Sequence, residues 1–385
     1  MAESSKPNVP LKIGFDAKRA FLNKTGLGNY SRGVIEAVAK NFPANEYHLY
    51  TTKVGTGIFS GFFRRFKKIN THLPETGIFK SFWRSKGIVQ DLLRDEIQLY
   101  HGLSQELPIG IKKSGIKTVV TIHDLIYLKY PEYFGPVNQK IYEWKARYAC
   151  KTADLIIAVS EQTKADLIQH FNLGPQKIKV VYQSCDPIFL QPKNDTVKEA
   201  IRLKYRLPQQ FILSVGTIET RKNLMLAVKA LKNIPAEVSL VVVGRETKYA
   251  RIIKNYLLKE ALQNRVLFLP GVLFEDLPAV YQLASVFVYP SRYEGFGIPI
   301  LEALCSGTPV VAAKGSCLEE AGGPNSFYVD PDDAVFMAQK INLILENETL
   351  QQKMKTEGRQ YALRFEEKNV AQNLMEVYQK ALNYA

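Results

Sequence analysis

Short, nearly continuous apolar stretches recur along this chain, and most are followed by a segment with the spacing of an amphipathic helix. An apolar run of about four to eight residues is typical of a buried strand. Buried strands that alternate with helices predict parallel sheets covered by helices on both faces. The predicted strands cover residues 11–16, 117–124, 153–160, 177–182, 211–216, 238–244, 266–271, 286–289, 309–313 and 327–330.

A break in this alternation divides the chain. Residues 191–210 are polar and contain Lys and Pro, and the alternation begins afresh at Phe211. The 385 residues also exceed the length of about 250–300 at which single cores stop growing. We therefore predict an α/β protein of two doubly wound domains, residues 1–190 and 191–365, facing each other across a cleft. A last amphipathic helix in 366–385 is predicted to cross back to the first domain. Ligands are expected at the carboxyl ends of the strands.

Composition excludes several classes of protein. The chain is 46% hydrophobic and 23% charged, which is ordinary for a globular protein and not typical of a disordered one. Its four Cys are widely spaced and form no metal-binding motif, so we expect reduced, buried thiols. The N-terminus lacks the apolar core of a signal peptide, and no apolar run is long enough to span a bilayer. We predict a cytoplasmic protein that is peripheral at most to the inner face of the membrane.

The net charge of +14 predicts an anionic partner, and much of this charge lies in one segment. Between Lys53 and Lys86 there are eight basic residues and one acid, Glu75. Residues 58–83 also contain Ile58, Phe59, Phe62, Phe63, Phe66, Ile69, Phe79, Phe82 and Trp83. Cationic and aromatic residues together favour contact with an anionic membrane surface. An ordinary amphipathic helix, with Phe in the core and Lys and Arg in water, fits the pattern equally well.

Two glutamates lie in the most informative part of the sequence, residues 291–313. Glu294 follows an apolar strand in a Gly-rich loop, and Glu302 lies eight residues later in a short helix whose first turn suits Pro299. Backbone donors at a helix N-terminus favour anions, so a phosphate fits there while the carboxylates accept hydrogen bonds from sugar hydroxyls. A solvated loop glutamate and a helix-surface glutamate would explain the bare pair as well.

Two further candidate sites follow strands. Arg221 and Lys222 come after the first strand of the second domain, close to a helix start, where two cations can neutralise a diphosphate. In the first domain, Gly26 and Gly28 form a turn after the first strand, a signal that usually means only a tight turn. His123 and Asp124 end an apolar strand at the edge where ligands bind.

These motifs, in this order over residues 11–380, resemble the retaining glycosyltransferases of family 4, which have the two-domain GT-B architecture of Rossmann-like domains. The resemblance implies catalytic roles for His123, Arg221, Lys222 and Glu294. It implies that the donor is bound by Gly26, Gly28, Gly216, Thr217, Arg221, Lys222, Val272, Leu273, Glu294, Gly295, Phe296, Gly297 and Glu302. His101 and Asp124 are the implied acceptor-binding residues. The match is weaker near Phe365, which Glu366 and Glu367 follow where the family often has an aromatic residue.

The closest likeness is to bacterial mannosyltransferases of surface-polysaccharide assembly. It implies transfer of a hexose, first choice mannose from GDP-mannose, to a glycan or lipid-linked acceptor with retention of configuration. No metal or other cofactor is expected, since Arg221 and Lys222 suit the diphosphate and Asp330-Pro331-Asp332 reads as a turn. A UDP-sugar donor, a sugar-nucleotide epimerase of the same architecture and a basic binding module are the alternatives. No nucleic acid is expected as a partner.

Overall fold

The computed structural model describes residues 10–55, 61–75 and 80–384. The chain forms two compact units. The first comprises the described residues up to Gln183 together with those from Glu367 onwards, and the second is Ser184–Glu366. The sequence placed its limits at residues 190 and 365. Each unit is built on one parallel sheet with helices around it.

The first unit contains a seven-stranded sheet in the order β3-β2-β1-β4-β5-β6-β7, and all of its strand pairs are parallel. Its strands are β1 (Lys12–Asp16), β2 (Glu46–Tyr50), β3 (Ile69–His72), β4 (Leu99–Gly102), β5 (Lys117–Ile122), β6 (Leu155–Ala158) and β7 (Ile178–Val180). The sequence predicted four of these strands. It missed β2, β3 and β4 because polar residues interrupt their apolar pattern, and His101, which was not predicted in a strand, lies within β4.

In the residues that the structure describes, seven α-helices precede the second unit in the chain. They are α1 (Lys18–Leu22), α2 (Gly26–Asn41), α3 (Lys80–Phe82), α4 (Ile88–Arg94), α5 (Ile126–Lys129), α6 (Pro136–Thr152) and α7 (Glu161–Phe171). Between α3 and α4, Trp83–Gly87 form a π-helical turn. Helix α7 begins at a standard cap, because the Ser160 hydroxyl accepts a hydrogen bond from the backbone N–H of Thr163.

The second unit contains a six-stranded parallel sheet in the order β10-β9-β8-β11-β12-β13. Its strands are β8 (Phe211–Val215), β9 (Ser239–Val243), β10 (Val266–Leu269), β11 (Val286–Tyr289), β12 (Val310–Ala313) and β13 (Phe327–Val329). Its helices are α8 (Asp195–Tyr205), α9 (Leu224–Ala230), α10 (Lys248–Lys259), α11 (Leu277–Leu283), α12 (Ile298–Ser306), α13 (Leu318–Gly322), α14 (Ala334–Glu346) and α15 (Glu348–Ala362). The order reverses between β8 and β11, which is where such sheets bind ligands.

The last helix, α16 (Glu367–Leu382), belongs to the first unit and packs along α2. Its inner face buries Leu374, Met375 and Tyr378. Glu367 at its start forms an ion pair of 3.0 Å with Lys40 at the end of α2. None of the helices in the described part of the chain is both long and apolar enough to cross a bilayer.

The basic segment 58–83 does not form the single amphipathic helix considered above. Ile58, Phe59 and Phe79 lie outside the described residues. In the described part, residues 69–72 form strand β3, and Phe63 is buried with its ring edge against Phe21. Phe82 is 61% exposed. The four cations Arg64, Arg65, Lys67 and Lys68 are exposed. One aromatic side chain thus enters the core while the cations face solvent.

Candidate functional site

Glu294 is at the centre of a cluster of polar side chains at the carboxyl ends of β8 and β11. Its two carboxylate oxygens form ion pairs with Arg221 Nη1 at 2.8 Å and with Lys222 Nζ at 2.7 Å. The Ser291 hydroxyl donates to the same carboxylate at 2.7 Å and the Tyr289 hydroxyl at 3.1 Å. We call Arg221, Lys222, Tyr289, Ser291 and Glu294 the Glu294 cluster. The sequence predicted three of these five residues as a site.

The two cations of the Glu294 cluster are held by several contacts. Arg221 also pairs with Glu219 at 2.7 Å and donates to the backbone carbonyl of Tyr293. Lys222 donates to the Tyr289 hydroxyl at 2.6 Å, and its ammonium lies 4.9 Å from the centre of the Tyr289 ring. The side chains of Arg221 and Lys222 are 14% and 19% exposed, so both retain some access to a ligand.

Electrostatics keeps Glu294 ionised. Burial opposes its charge, but Lys222 and Arg221 outweigh burial and lower the pKa of Glu294 to about 2. Burial also opposes the charge of Arg221, yet Glu294 and Glu219 raise the Arg221 pKa. The sequence suggested two unpaired cations that could neutralise a diphosphate, whereas in the structure both form ion pairs with Glu294. Any anion that binds these two cations must therefore share them with this carboxylate.

The backbone around the Glu294 cluster requires glycine at two places. Gly216 follows β8 with φ of 144°, and a Cβ there would lie 3.6 Å from the Lys222 side chain. Gly297 precedes α12 with φ of 126°, where a Cβ would press on Leu318 and Ala321 at 3.2 and 3.3 Å. Both angles strain any residue with a side chain. Thr217, next to Gly216, is partly exposed and lines a small pocket with Lys222 and Tyr289.

The loop that carries Glu294 is fixed by a residue that sequence reasoning did not select. The fully buried Cys317 directs its thiol to the carbonyl of Glu294, with Sγ 3.1 Å away, and to that of Phe296 at 3.0 Å. Phe296 itself is buried and packs on Phe365, with ring centres 5.6 Å apart. Its side chain therefore anchors the loop in the core, and any contact of Phe296 with a donor would have to use backbone atoms. Gly295 is partly exposed in the same loop.

Glu302 lies in α12 and is partly buried. One oxygen accepts a hydrogen bond of 2.9 Å from the hydroxyl of Tyr281 in α11. Burial raises the pKa of Glu302 to about 7, although the Tyr281 hydrogen bond opposes this shift. The two signature glutamates thus differ in charge near neutral pH, since Glu294 is ionised and Glu302 is about half protonated.

Val272 and Leu273, which the resemblance places in the donor site, lie in the turn after β10. Val272 is partly exposed and Leu273 is 48% exposed. The backbone N–H of Leu273 donates to the Tyr205 hydroxyl at 3.2 Å, and this hydroxyl donates to Asp276 at 2.6 Å. The turn is therefore tied to α8, with its side chains at the surface.

His123 follows β5 in the first unit and is 5% exposed. Its Nε2 lies 2.9 Å from the backbone carbonyl of Leu103, and the Tyr30 ring packs edge-on with its centre 4.5 Å away. Burial lowers the pKa of His123 to about 4, although the carbonyl contact opposes this. Because a carbonyl only accepts, the neutral ring carries its proton on Nε2 and leaves Nδ1 as an acceptor.

His101 lacks the exposure that an acceptor-binding residue needs. It is fully buried in β4, with Nδ1 2.8 Å from the Tyr378 hydroxyl and Nε2 2.8 Å from Thr121 Oγ1. Thr121 Oγ1 in turn bonds the Tyr30 hydroxyl at 2.9 Å. Both ring nitrogens are occupied, so in this structure His101 joins α16 to the sheet. The other implied acceptor residue, Asp124, is partly exposed and accepts a hydrogen bond from the N–H of Ile126.

The paired glycines of the first domain lie in the first turn of α2. A Cβ on Gly28 would come within 1.9 Å of the Asn23 carbonyl, so only glycine fits there. A Cβ on Gly26 would meet nothing within 4 Å. Arg32, which is buried, donates to the carbonyls of Ala20 and Asn23 and so closes the preceding loop onto α2.

A third group of titratable side chains emerges only from the fold. His48 Nδ1 lies 3.0 Å from His72 Nε2, and His72 Nδ1 lies 3.2 Å from Asp95, which also accepts from the Tyr50 hydroxyl at 2.7 Å. Candidate ligand atoms of these two His and Asp95 lie within 4.8 Å of one another. Their contacts with each other form one continuous hydrogen-bond chain between β2, β3 and the end of α4.

Two parallel-sheet units, one with cations and carboxylates clustered at the reversal of strand order, have the architecture of GT-B glycosyltransferases. Residues 31–188 match the family described as "Glycosyltransferase Family 4", and residues 197–361 match "Glycosyl transferases group 1". The chain belongs to the family 4 glycosyltransferases, and it has the GT-B fold.

Several relatives of this chain are named mannosyltransferases. The O-antigen chain mannosyltransferase B of Escherichia coli is 26% identical over 96% of this chain and 99% of its own length. The O-antigen chain mannosyltransferase RfbU of Salmonella typhimurium is 30% identical over 56% of this chain and 57% of its own length. The protein is thus a glycosyltransferase with relatives in O-antigen polysaccharide synthesis.

A solved structure shows the same fold. The Anabaena protein Alr3699/HepE, crystallised in complex with UDP-glucose, superposes with a TM-score of 0.75 at 21% identity, over 96% of this chain and all of the other. At that identity the likeness concerns the fold.

Proposed function

We propose that the protein transfers mannose from GDP-mannose to a hydroxyl of a glycan or lipid-linked glycan, with retention of anomeric configuration. The observation that carries the proposal is the Glu294 cluster, in which two cations and an ionised carboxylate meet beside the start of α12. The choice of mannose is supported by the relatives that are named mannosyltransferases.

The negative charge of a nucleoside diphosphate grows as its bond to the sugar breaks. Arg221 and Lys222 are oriented by their contacts with Glu294 and Tyr289 before any ligand arrives, and preorganised cations stabilise developing charge most effectively. These two residues supply the stabilisation for which other enzymes use a divalent cation, so the proposed mechanism needs no metal.

The roles of the two glutamates are proposed to differ. Glu302 accepts hydrogen bonds from the ribose hydroxyls of the donor, and its partly buried carboxyl, already hydrogen-bonded to Tyr281, lies in the helix that follows the Glu294 loop. Glu294 stays ionised and holds Arg221 and Lys222 in place while it accepts from hydroxyls of the sugar. In the first unit His123 offers a neutral acceptor nitrogen to a substrate hydroxyl, because its pKa of about 4 excludes an imidazolium at neutral pH.

The donor can be tested by thermal shift with GDP-mannose, UDP-glucose and other nucleotide sugars. A ligand at about 100 times its Kd stabilises by about 2.7 kcal/mol, so one donor should stand out. We expect GDP-mannose, and a larger shift with a UDP-sugar would replace it. Analysis of the products by NMR then gives the anomeric configuration. A sugar-nucleotide epimerase would convert its donor without any acceptor, whereas the transferase releases GDP and forms a glycoside only when an acceptor is present.

We also propose that the basic segment places the protein on an anionic membrane, where lipid-linked acceptors are found. Its support is the exposure of Arg64, Arg65, Lys67 and Lys68, each of which contributes about 1 kcal/mol near an acidic bilayer. Arg65 also stacks on Phe62 and Phe66, with its guanidinium 4.9 and 5.2 Å from the ring centres. The proposed location is the cytoplasmic side, with peripheral attachment.

A further inference from the structure

The first unit contains a cavity of about 390 Å³. The cavity is separate from the Glu294 cluster, which lies in the second unit. It opens at the carboxyl end of β1, between the loop after β4, the π-helical turn and α6. Cavities of about 300–1,000 Å³ are typical of small-molecule sites. This volume is therefore sufficient for a sugar with one or two phosphates.

The cavity wall is held by a partly buried ion network. Arg84 binds Asp16 with Nη2 at 2.6 Å and Glu106 with Nη1 at 2.6 Å, and Lys145 reaches Glu106 at 3.0 Å. Asp16 is 3% exposed and the Arg84 side chain 16% exposed. Although burial opposes its charge, Arg84 lowers the pKa of Asp16, so the carboxylate stays ionised. These four side chains satisfy each other and form a rigid frame.

Two more cations line the same cavity. In the part of the chain that the structure describes, neither Lys18 nor Lys80 has an ion-pair partner. The lining therefore carries four cations, Lys18, Lys80, Arg84 and Lys145, against the two acids Asp16 and Glu106. Burial and the nearby Arg84 lower the pKa of Lys18, and the attraction of Glu106 and Asp16 offsets this only in part. An anion placed between Lys18 and Lys80 would balance this excess.

An aromatic side chain completes the cavity. Trp144 lines it with 58% of its surface exposed and stacks on Tyr148, the ring centres being 6.2 Å apart. The Tyr148 hydroxyl is fixed between the N–H of Gly110 and the carbonyl of Pro108. A flat aromatic face next to cations suits the apolar face of a sugar ring. Ile109, also in the lining, and the neighbouring Phe82 are 41% and 61% exposed.

We propose that this cavity binds the phosphorylated sugar of the acceptor, with Lys18 and Lys80 on the phosphate and Trp144 on the sugar ring. The proposal rests on the proposed glycosyltransferase function for its meaning, but the binding it describes is independent of the donor. Phosphorylated sugars occur free and as head groups of isoprenyl lipids. The exposed Phe82 and Ile109 beside the cavity favour the lipid-borne form, since they offer an apolar surface for its first isoprene units.

The test measures binding of mannose 1-phosphate to the full chain, by calorimetry and by tryptophan fluorescence. The chain has two Trp, and Trp144 lines the cavity, so a ligand that stacks on it should quench emission. We expect mannose 1-phosphate to quench the emission of the wild type and not that of the Trp144→Phe variant. The double variant Lys18→Gln/Lys80→Gln should bind mannose 1-phosphate and inorganic phosphate at least about tenfold more weakly, because two charge-assisted contacts are lost.

The matched control is Lys112→Gln/Lys113→Gln, which removes the same charge from exposed positions of the same unit outside the cavity lining. It should bind as the wild type does. Absence of quenching in the wild type, unchanged binding in the cavity variant, or an equal loss in the control would each overturn the proposal. If the cavity proposal fails while nucleotide binding and sugar transfer are normal, the glycosyltransferase proposal stands. If the wild type neither binds nucleotide nor transfers sugar, that result counts against the glycosyltransferase proposal and not against the cavity.

The source of the ligand is decided with the same hexose on a short isoprenyl diphosphate, presented in phosphatidylcholine vesicles. We expect it to bind more tightly than the free sugar phosphate, and Phe82→Ser to remove that advantage without changing binding of the free form. Equal affinities and an inert Phe82→Ser would overturn the lipid-borne source.

Discussion

Tyr378 and His101 are joined by a hydrogen bond of 2.8 Å although they lie 277 residues apart in the chain. Both side chains are fully buried. The contact continues through Thr121 to the hydroxyl of Tyr30, whose ring packs against His123. The last helix of the protein is thereby connected to the packing of a proposed catalytic residue.

Tyr378→Phe should destabilise the first unit by about 1–3 kcal/mol, because it leaves Nδ1 of His101 without a partner in the core. Chemical denaturation followed by circular dichroism measures this change. Tyr142→Phe, which alters a tyrosine 46% exposed in the same unit, is the control and should stay within about 0.5 kcal/mol of the wild type. Equal stability of the two variants would mean that the Tyr378 hydroxyl contributes nothing to α16 docking.

Acid should destabilise the first unit well before its carboxylates titrate. Burial lowers the pKa of His101 to about 3 and that of His123 to about 4, and burial also lowers the pKa of His48 and His72. The unfolded chain takes up these protons near pH 6.5, whereas the native state does not. The contribution of these histidines to the free energy of unfolding is therefore present above pH 6.5 and is lost as pH falls towards 3–4. The loss is about 1.4 kcal/mol for each unit by which a pKa is lowered. Unfolding measured from pH 8 to pH 4 tests this, and a flat profile for the first unit below pH 6.5 would contradict the buried neutral histidines.

Glu302→Gln should chiefly weaken donor binding, by about 10- to 150-fold, since a hydrogen bond to a charged group contributes about 1.5–3 kcal/mol. Because the Glu302 pKa is raised to about 7, its carboxylate forms as pH rises through 7. Donor affinity of the wild type should therefore increase from pH 6 to pH 8, and that of the variant should not. Calorimetry with the donor measures both effects. An unchanged Kd in the variant would remove Glu302 from the ribose site.

The raised pKa of Glu302 also predicts a stability effect opposite in sign to that of the histidines. Between pH 4.5 and pH 7 the native state holds a proton that the unfolded chain has released, so this contribution to stability is full below pH 4.5 and declines as pH rises through 7. Glu302→Gln should remove that decline from the second unit.

Arg221→Ala and Lys222→Ala should lower kcat more than they raise KM, because the charge on the leaving diphosphate is greatest in the transition state. Losing one oriented donor typically costs about 10²–10³ in kcat. Arg292→Ala is the control, since Arg292 pairs with Asp332 rather than with Glu294. A change confined to KM would show that Arg221 and Lys222 bind substrate and transition state equally.

Activity should persist in EDTA if Arg221 and Lys222 replace a metal. Steady-state rates with and without chelator decide this. Loss of activity with EDTA and recovery with Mg²⁺ or Mn²⁺ would refute the metal-free mechanism.

Reversal of Arg64, Arg65, Lys67 and Lys68 to Glu should abolish co-sedimentation with anionic vesicles, because each cation contributes about 1 kcal/mol near the surface and salt screens it within about 8–10 Å. Wild-type binding should vanish on neutral vesicles and at high salt. Circular dichroism establishes that the variant is folded. Pelleting of the folded variant at the wild-type level would end the membrane proposal.

Local pattern alone determined the α/β class, the two units and the strand ends that carry Glu294, Arg221 and His123. Continuous apolar runs and glycines at strand ends need no knowledge of distant residues. The same information missed β2 and β4, because Glu46 and His48, or His101, give their strands a polar character that only partners elsewhere in the chain explain.

The sequence determined which residues of the second unit form a signature, but only the tertiary structure decided their state. Glu294 and Lys222 are 72 residues apart, and folding brings them to 2.7 Å, so that neither is a free charge. Glu302 and Glu294 look alike in the sequence, yet burial raises the pKa of one while ion pairs lower that of the other. His101 is a candidate ligand in the sequence and a buried structural residue in the fold. Burial and pairing depend on every neighbour in space, and these neighbours come from parts of the chain that no local pattern connects.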